Sequence, residues 1–154
     1  MLSAFKRGPM ALLTALFIMG SYALAADYGT ADEAKAMLER AVAAMNADQA
    51  KALAEFTAGA PGFKEKDLYV FCGGPDGNFS AHGAKAELVG KSLKGLKDKA
   101  DKAVGEEMYA KAAEGSIVEV EYMWPRPGET EPVTKVSEIT KVGDQICGVG
   151  YYKS

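Results

Sequence analysis

The chain is poor in the residues that do chemistry. It has one histidine and two cysteines in 154 residues. A structural zinc site wants about four ligands from a His/Cys cluster, and none can be assembled here. The cysteines are not spaced Cys-x-x-Cys or Cys-x-x-Cys-His, which excludes a thioredoxin-like redox motif and covalent c-type haem. Gly-x-Ser-x-Gly, a phosphate-binding glycine loop and His-Glu-x-x-His are absent. With no carboxylate dyad and one histidine, no nucleophile–base pair can be named, so neither a catalytic residue nor a cofactor is expected. Bases are outnumbered, 18 Lys and Arg against 21 Asp and Glu, and the lysines are scattered. Nucleic acid is bound chiefly by neutralising phosphates and is disfavoured as a partner. There is no fixed-period repeat, low-complexity tract or internal linker, so one compact domain is expected.

What is present begins with an address. Lys6 and Arg7 precede an apolar run from Met10 to Met19, shorter than the ~20 residues of a membrane span. Ala23-Leu-Ala25 is a small-x-small cleavage pattern. This reads as a signal peptide over residues 1–25, with an uncleaved anchor or an amphipathic helix as the alternative. Cleavage would leave a domain over residues 26–154, periplasmic or secreted and without stable membrane insertion. Losing Lys6 and Arg7 and no acid takes the net charge from −3 to −5. An exported chain meets oxidising conditions, so its two cysteines are allowed to pair.

Thr30 and Glu33 form a capping-box signal, followed by Ala34, Leu38, Ala41, Val42 and Met45 at helical spacing. Asp48 could cap a second short helix carrying Leu53 and Phe56, or one longer helix could continue through it. Asp67 to Cys72 reads as a strand. Gly73-Gly-Pro-Asp-Gly77 is a turn cluster returning Asn78 to His82 as the second strand of a hairpin. Lys85 to Ala100 is polar and irregular, and Asp101 to Glu114 reads as a helix with Val104, Met108 and Ala112 on one face. In Ser116 to Trp124, Val118, Val120, Tyr122 and Trp124 alternate with Glu119 and Glu121, a half-buried strand. Val133 to Val142 and Gln145 to Tyr152 complete a meander joined by a tight Gly143-Asp144 turn. The sum is an α+β domain around a five-stranded antiparallel sheet.

Asp67-Leu-Tyr-Val-Phe71, Pro75-Asp-Gly77, Ala81-His-Gly83, Leu88-Val-Gly-Lys91, Tyr122-Met-Trp-Pro125, Val142-Gly-Asp144 and Gly148-Val-Gly-Tyr151, in this order, resemble the single Cache domain of type 2. The resemblance runs from about Thr30 to Lys153. It implies a PAS-like sheet with strands ordered two-one-five-four-three and a long N-terminal helix on one face. It implies an extracytoplasmic sensory module that binds small molecules, often carboxylates, between the sheet and the segments covering its other face. It also implies a Cys72–Cys147 bridge, because the first and last strands would be neighbours; two buried thiols are the alternative. No span or signalling domain follows up to Ser154, so the module is expected to report through a membrane sensor kinase or chemoreceptor. A structural or interaction domain with a filled pocket is the competing function.

Candidate ligand-binding residues carry two readings each. His82 is a ligand contact and pH-sensitive group, or a strand-end histidine satisfied by backbone. Tyr69, Phe71, Tyr122 and Trp124 wall a pocket or simply pack the core. Lys135 pairs with a carboxylate or keeps a solvated head. Gly148 and Gly150 make room for a ligand or for the long helix. Glu138 stands where the family often has Tyr; on a pocket wall it would repel a carboxylate and suit a cationic or polyol ligand.

Overall fold

The structure is a computed structural model and describes residues 28–153; the expected signal peptide and cleavage site lie outside the described residues. Thr30 starts the first helix, α1 (Ala31–Ala47). Its Oγ1 accepts the Glu33 amide at 3.2 Å and Glu33 Oε2 accepts the Thr30 amide at 2.8 Å. The capping box therefore forms as expected. Asp48 then adopts an extended backbone, and its Oδ1 accepts the Lys51 amide to open α2 (Gln49–Ala58). Of the two helical readings, the one with two helices holds.

The sheet is built from β1 (Lys64–Glu65), β2 (Leu68–Gly73), β3 (Phe79–His82), β4 (Val118–Pro125), β5 (Pro132–Val142) and β6 (Gln145–Tyr152). Its order is β3-β2-β6-β5-β4, all antiparallel, with the two-residue β1 sharing the β3 edge of β2. That is the order the family resemblance implies, with one extra short strand beyond the five expected. Gly143, at φ 59°, occupies the first position of the two-residue turn between Val142 and Gln145, where a positive φ favours glycine.

Two apolar layers sandwich the sheet. Ala34, Met37, Leu38, Ala41 and Met45 of α1 and Phe56 of α2 bury against Leu68, Val70, Cys72, Cys147 and Val149. On the opposite face Tyr69, Phe71, Val120, Tyr122, Ile139 and Ile146 meet Leu93, Val104 and Met108. Cys72 and Cys147 sit directly opposite in the β2–β6 register and are bridged, with Cα atoms 4.1 Å apart. Closing so long a loop restricts the unfolded chain and contributes roughly 2–4 kcal/mol.

The cover of the second face is mostly irregular, with one 3-10 turn (Ala86–Leu88) and a short α3 (Val104–Lys111). The helix expected over Asp101 to Glu114 is trimmed at both ends. Asp101 takes a φ of 62° and donates its amide to the Asp98 carbonyl, closing a turn before the helix. At the other end Ala112 is extended, and Ala113 bridges Ser116.

Candidate functional site

Strand alternation decides which side chains reach the irregularly covered face. On β2 it presents Tyr69 and Phe71, on β4 Tyr122 and Trp124, and on β5 Lys135. With Phe79, His82, Leu93, Leu96 and Met108 these line one cavity. The free space left between the side chains is about 10 Å³, room for one water at most.

Phe79 and His82 are three residues apart, so strict alternation would send them to opposite faces. The β2–β3 register skips Ser80, pairing Cys72 with Ala81 and Gly73 with Phe79. This bulge brings the Phe79 and His82 rings to 5.4 Å, and His82 also lies 4.9 Å from the Tyr69 ring. His82 Nδ1 accepts the Ala84 and Lys85 amides at 3.2 and 2.9 Å. Burial, then the Lys135 and Lys85 charges, hold its pKa down at about 3. Of the two readings for His82, these contacts match the histidine held by backbone: it anchors the start of the cover, with its protonation disfavoured by burial and by the nearby lysines.

Lys135 is 1% exposed. Its Nζ donates to Tyr69 Oη at 2.8 Å and lies 4.4, 5.1 and 6.0 Å from the Tyr69, Tyr152 and Tyr122 ring centroids. Among the described residues no carboxylate comes within ion-pair distance of it. Burial lowers its pKa to about 7, with Asp67 pulling weakly the other way. Of the two readings for Lys135, the solvated head is the one that fails. Tyr122 Oη shares a hydrogen bond with Ser137 Oγ at 2.9 Å, and Tyr152 Oη donates to the Pro125 carbonyl at 2.8 Å.

The glycines on β6 serve neither reading offered for them. A Cβ on Gly150 would meet Lys135 Cε at 2.1 Å, and one on Gly148 would meet Ile139 Cδ1 at 2.4 Å and Phe71 Cζ at 2.7 Å. They face away from α1 and leave room for the pocket's own side chains. Glu138 also needs correction. It lies on the α1 face, opposite Glu119 in the β4–β5 register, and its pKa is raised by burial and by Glu119, with Lys35, Asp32 and Glu39 of α1 nearby. Its side chain is not in the cavity, so it supplies no argument for a cationic ligand.

Sequence reasoning missed a buried pair beside the site. Arg126 Nε lies 3.5 Å from Asp67 Oδ2, while Asp67 Oδ1 accepts the Gly29 amide at 2.6 Å. The Arg126 guanidinium covers the Tyr28 ring at 4.2 Å. Asp67 had been visible only as the first residue of a strand motif, and contact across the sheet end gives no periodic signal.

An antiparallel sheet with helices on one face and an aromatic cavity under irregular cover on the other is a PAS-like α+β architecture. The chain belongs to the single Cache domain 2 family, whose model matches residues 24–152. Over 73 residues it is 37% identical to the methyl-accepting chemotaxis protein McpP of Pseudomonas putida; the match covers 46% of this chain and 13% of that protein, a small part of its length. A methyl-accepting chemotaxis protein from Vibrio parahaemolyticus has a similar fold, with a TM-score of 0.64 at 23% identity over 79% of this chain and 86% of that one. So does a Cache chemosensory domain studied for its carboxylic acid recognition, at 0.58 and 24% over 77% and 84%. The family is one of extracytoplasmic ligand-sensing domains and is not catalytic. No helix among the described residues is long and apolar enough to cross a membrane.

Proposed function

We propose that this domain binds a small carboxylate in the aromatic cavity, with Lys135 as its cationic anchor, and reports occupancy to a membrane chemoreceptor or sensor kinase. The observation that carries the reading is Lys135, a buried amine with one hydroxyl partner and, among the described residues, no anion. Burying an ammonium without a countercharge is expensive. A carboxylate arriving beside it would supply that charge and convert a neutral contact into a charge-assisted one. Tyr69, Phe71, Tyr122 and Trp124 would enclose the apolar part of the ligand, and the Tyr69 hydroxyl is placed to share it. The carboxylic acid recognition of a structural relative agrees in chemistry.

The cavity as it stands holds about 10 Å³, so the ligand must displace part of the cover. The single 3-10 turn and the irregular segment around Leu93 and Leu96 are the parts of the cover that lie outside α3. Periplasmic or secreted residence after cleavage near Ala25 goes with this function, as does the bridge between Cys72 and Cys147.

A second reading has one observation in its favour, the smallness of that same cavity: a structural or interaction domain whose pocket has become core. Thermal denaturation against a panel of short mono- and dicarboxylates separates the two. A ligand at 100 times its Kd stabilises the fold by roughly 2.7 kcal/mol, and Lys135→Met abolishes the shift while keeping the fold. A panel that leaves wild type unmoved at saturating concentrations supports the filled core instead.

A further inference from the structure

Trp124 lines two cavities. On its inner side is the aromatic pocket. On its outer side an open groove of about 290 Å³ is bounded by Lys85, Lys97, Asp98, Lys99 and Pro125. We propose that this groove is an outer binding site for small anions, carboxylates above all, with the Trp124 indole as the partition between it and the buried pocket. Its use as an entry vestibule rests on the carboxylate reading above; its existence as an anion site does not.

The charges argue for it. The chain carries a net −3, so its overall charge disfavours anions, yet this groove gathers three lysines. Asp98 is the acid among its walls; three backbone amides hold its carboxylate ionised and in place, so it offsets one of the three lysine charges and leaves the lining net positive. Oδ1 accepts the Ala100 and Lys102 amides at 2.9 Å each and Oδ2 accepts the Met123 amide at 3.1 Å. Lys97 shares its charge with the exposed Asp101 at 3.1 Å. Lys85 and Lys99 have no ion-pair partner among the described residues. Lys85 is fixed at its root, because its amide donates to His82 Nδ1, the same histidine that lines the inner pocket. A positively lined concavity in an otherwise acidic surface concentrates anions locally. The same strand end thus faces an anion-attracting groove outside and an unpaired amine inside.

Trp124 is the protein's single tryptophan, so its fluorescence reports on this groove directly. The test is collisional quenching of the full-length mature protein by iodide, caesium and acrylamide at matched, low ionic strength. The expected result is a larger quenching constant for iodide than for caesium, despite the acidic surface. In Lys85→Gln/Lys97→Gln/Lys99→Gln the iodide constant should fall about twofold or more, with acrylamide quenching unchanged as the control for fold and exposure. An iodide constant unaltered by the triple substitution, or caesium quenching wild type better than iodide, overturns the proposal. If the carboxylate panel gives no thermal shift but the iodide preference stands, the inner-pocket reading fails alone. If carboxylates bind but the iodide preference is missing, the groove fails alone.

Discussion

A lysine amine sealed among Tyr69, Tyr122 and Tyr152 loses its hydration, and burial lowers its pKa to about 7. The unfolded chain keeps that proton up to about 10.4. Between pH 7 and 9 the unfolded state therefore binds more protons than the native one, and this group makes stability rise with pH. Lys135→Met should flatten that rise in urea titrations and raise stability at pH 7 by roughly 1–4 kcal/mol, as apolar replacement of buried charge often does. His82 acts in the same direction lower down. Its folded pKa of about 3 lies below the unfolded 6.5, so its contribution is intact above pH 6.5 and is lost as pH falls toward 3. His82→Asn keeps an acceptor near the Ala84 and Lys85 amides and should show a shallower acid loss over that window. Glu138 has the opposite sign. Its raised pKa means that its ionised form disfavours the fold, facing Glu119. Glu138→Gln should raise the melting temperature at pH 7, with the gain vanishing as pH falls below about 4.3, the free carboxyl's range. At this scale residue types were legible but surroundings were not. Lysine defaults to solvent, and only the fold shows that this one is enclosed.

Elements were more legible, because caps and alternation are local. The capping box at Thr30, the Asp48 break and the inward row of Val120 and Tyr122 all follow from spacing that a reader can count. The differences came where a bulge, a tight turn or a close backbone contact overrode the apolar spacing. The bulge at Ser80 turns Phe79 toward His82, and the left-handed Asp101 cuts the third helix short. Gly105 marks another such contact, since a Cβ there would sit 1.8 Å from the Leu93 carbonyl oxygen. That glycine lets α3 press against the cover segment. Gly105→Ala should destabilise by roughly 1–3 kcal/mol through overpacking against backbone. Amide exchange should quicken around Leu93 and Leu96 more than in α1; an even change across both faces would mean that the contact does not hold the cover.

For the whole molecule the bridge between β2 and β6 ties the centre of the sheet. Reduction should lower stability in guanidinium titrations by roughly 2–4 kcal/mol, and alkylation of the denatured, unreduced protein should label neither cysteine. The amino-acid sequence by itself determined the α+β class, the strand order through its family motifs, and the face of most aromatic side chains, because these depend on periodicities of two and of about 3.6 residues. Tertiary structure alone decided that Lys135 is buried without an acid, that Glu138 belongs to the helix face, that Gly148 and Gly150 accommodate pocket side chains, and that Asp67 meets Arg126. Each of these depends on which residues from remote strands share one small volume, and on how much water that volume excludes. Neither quantity is written in the spacing of neighbours along the chain.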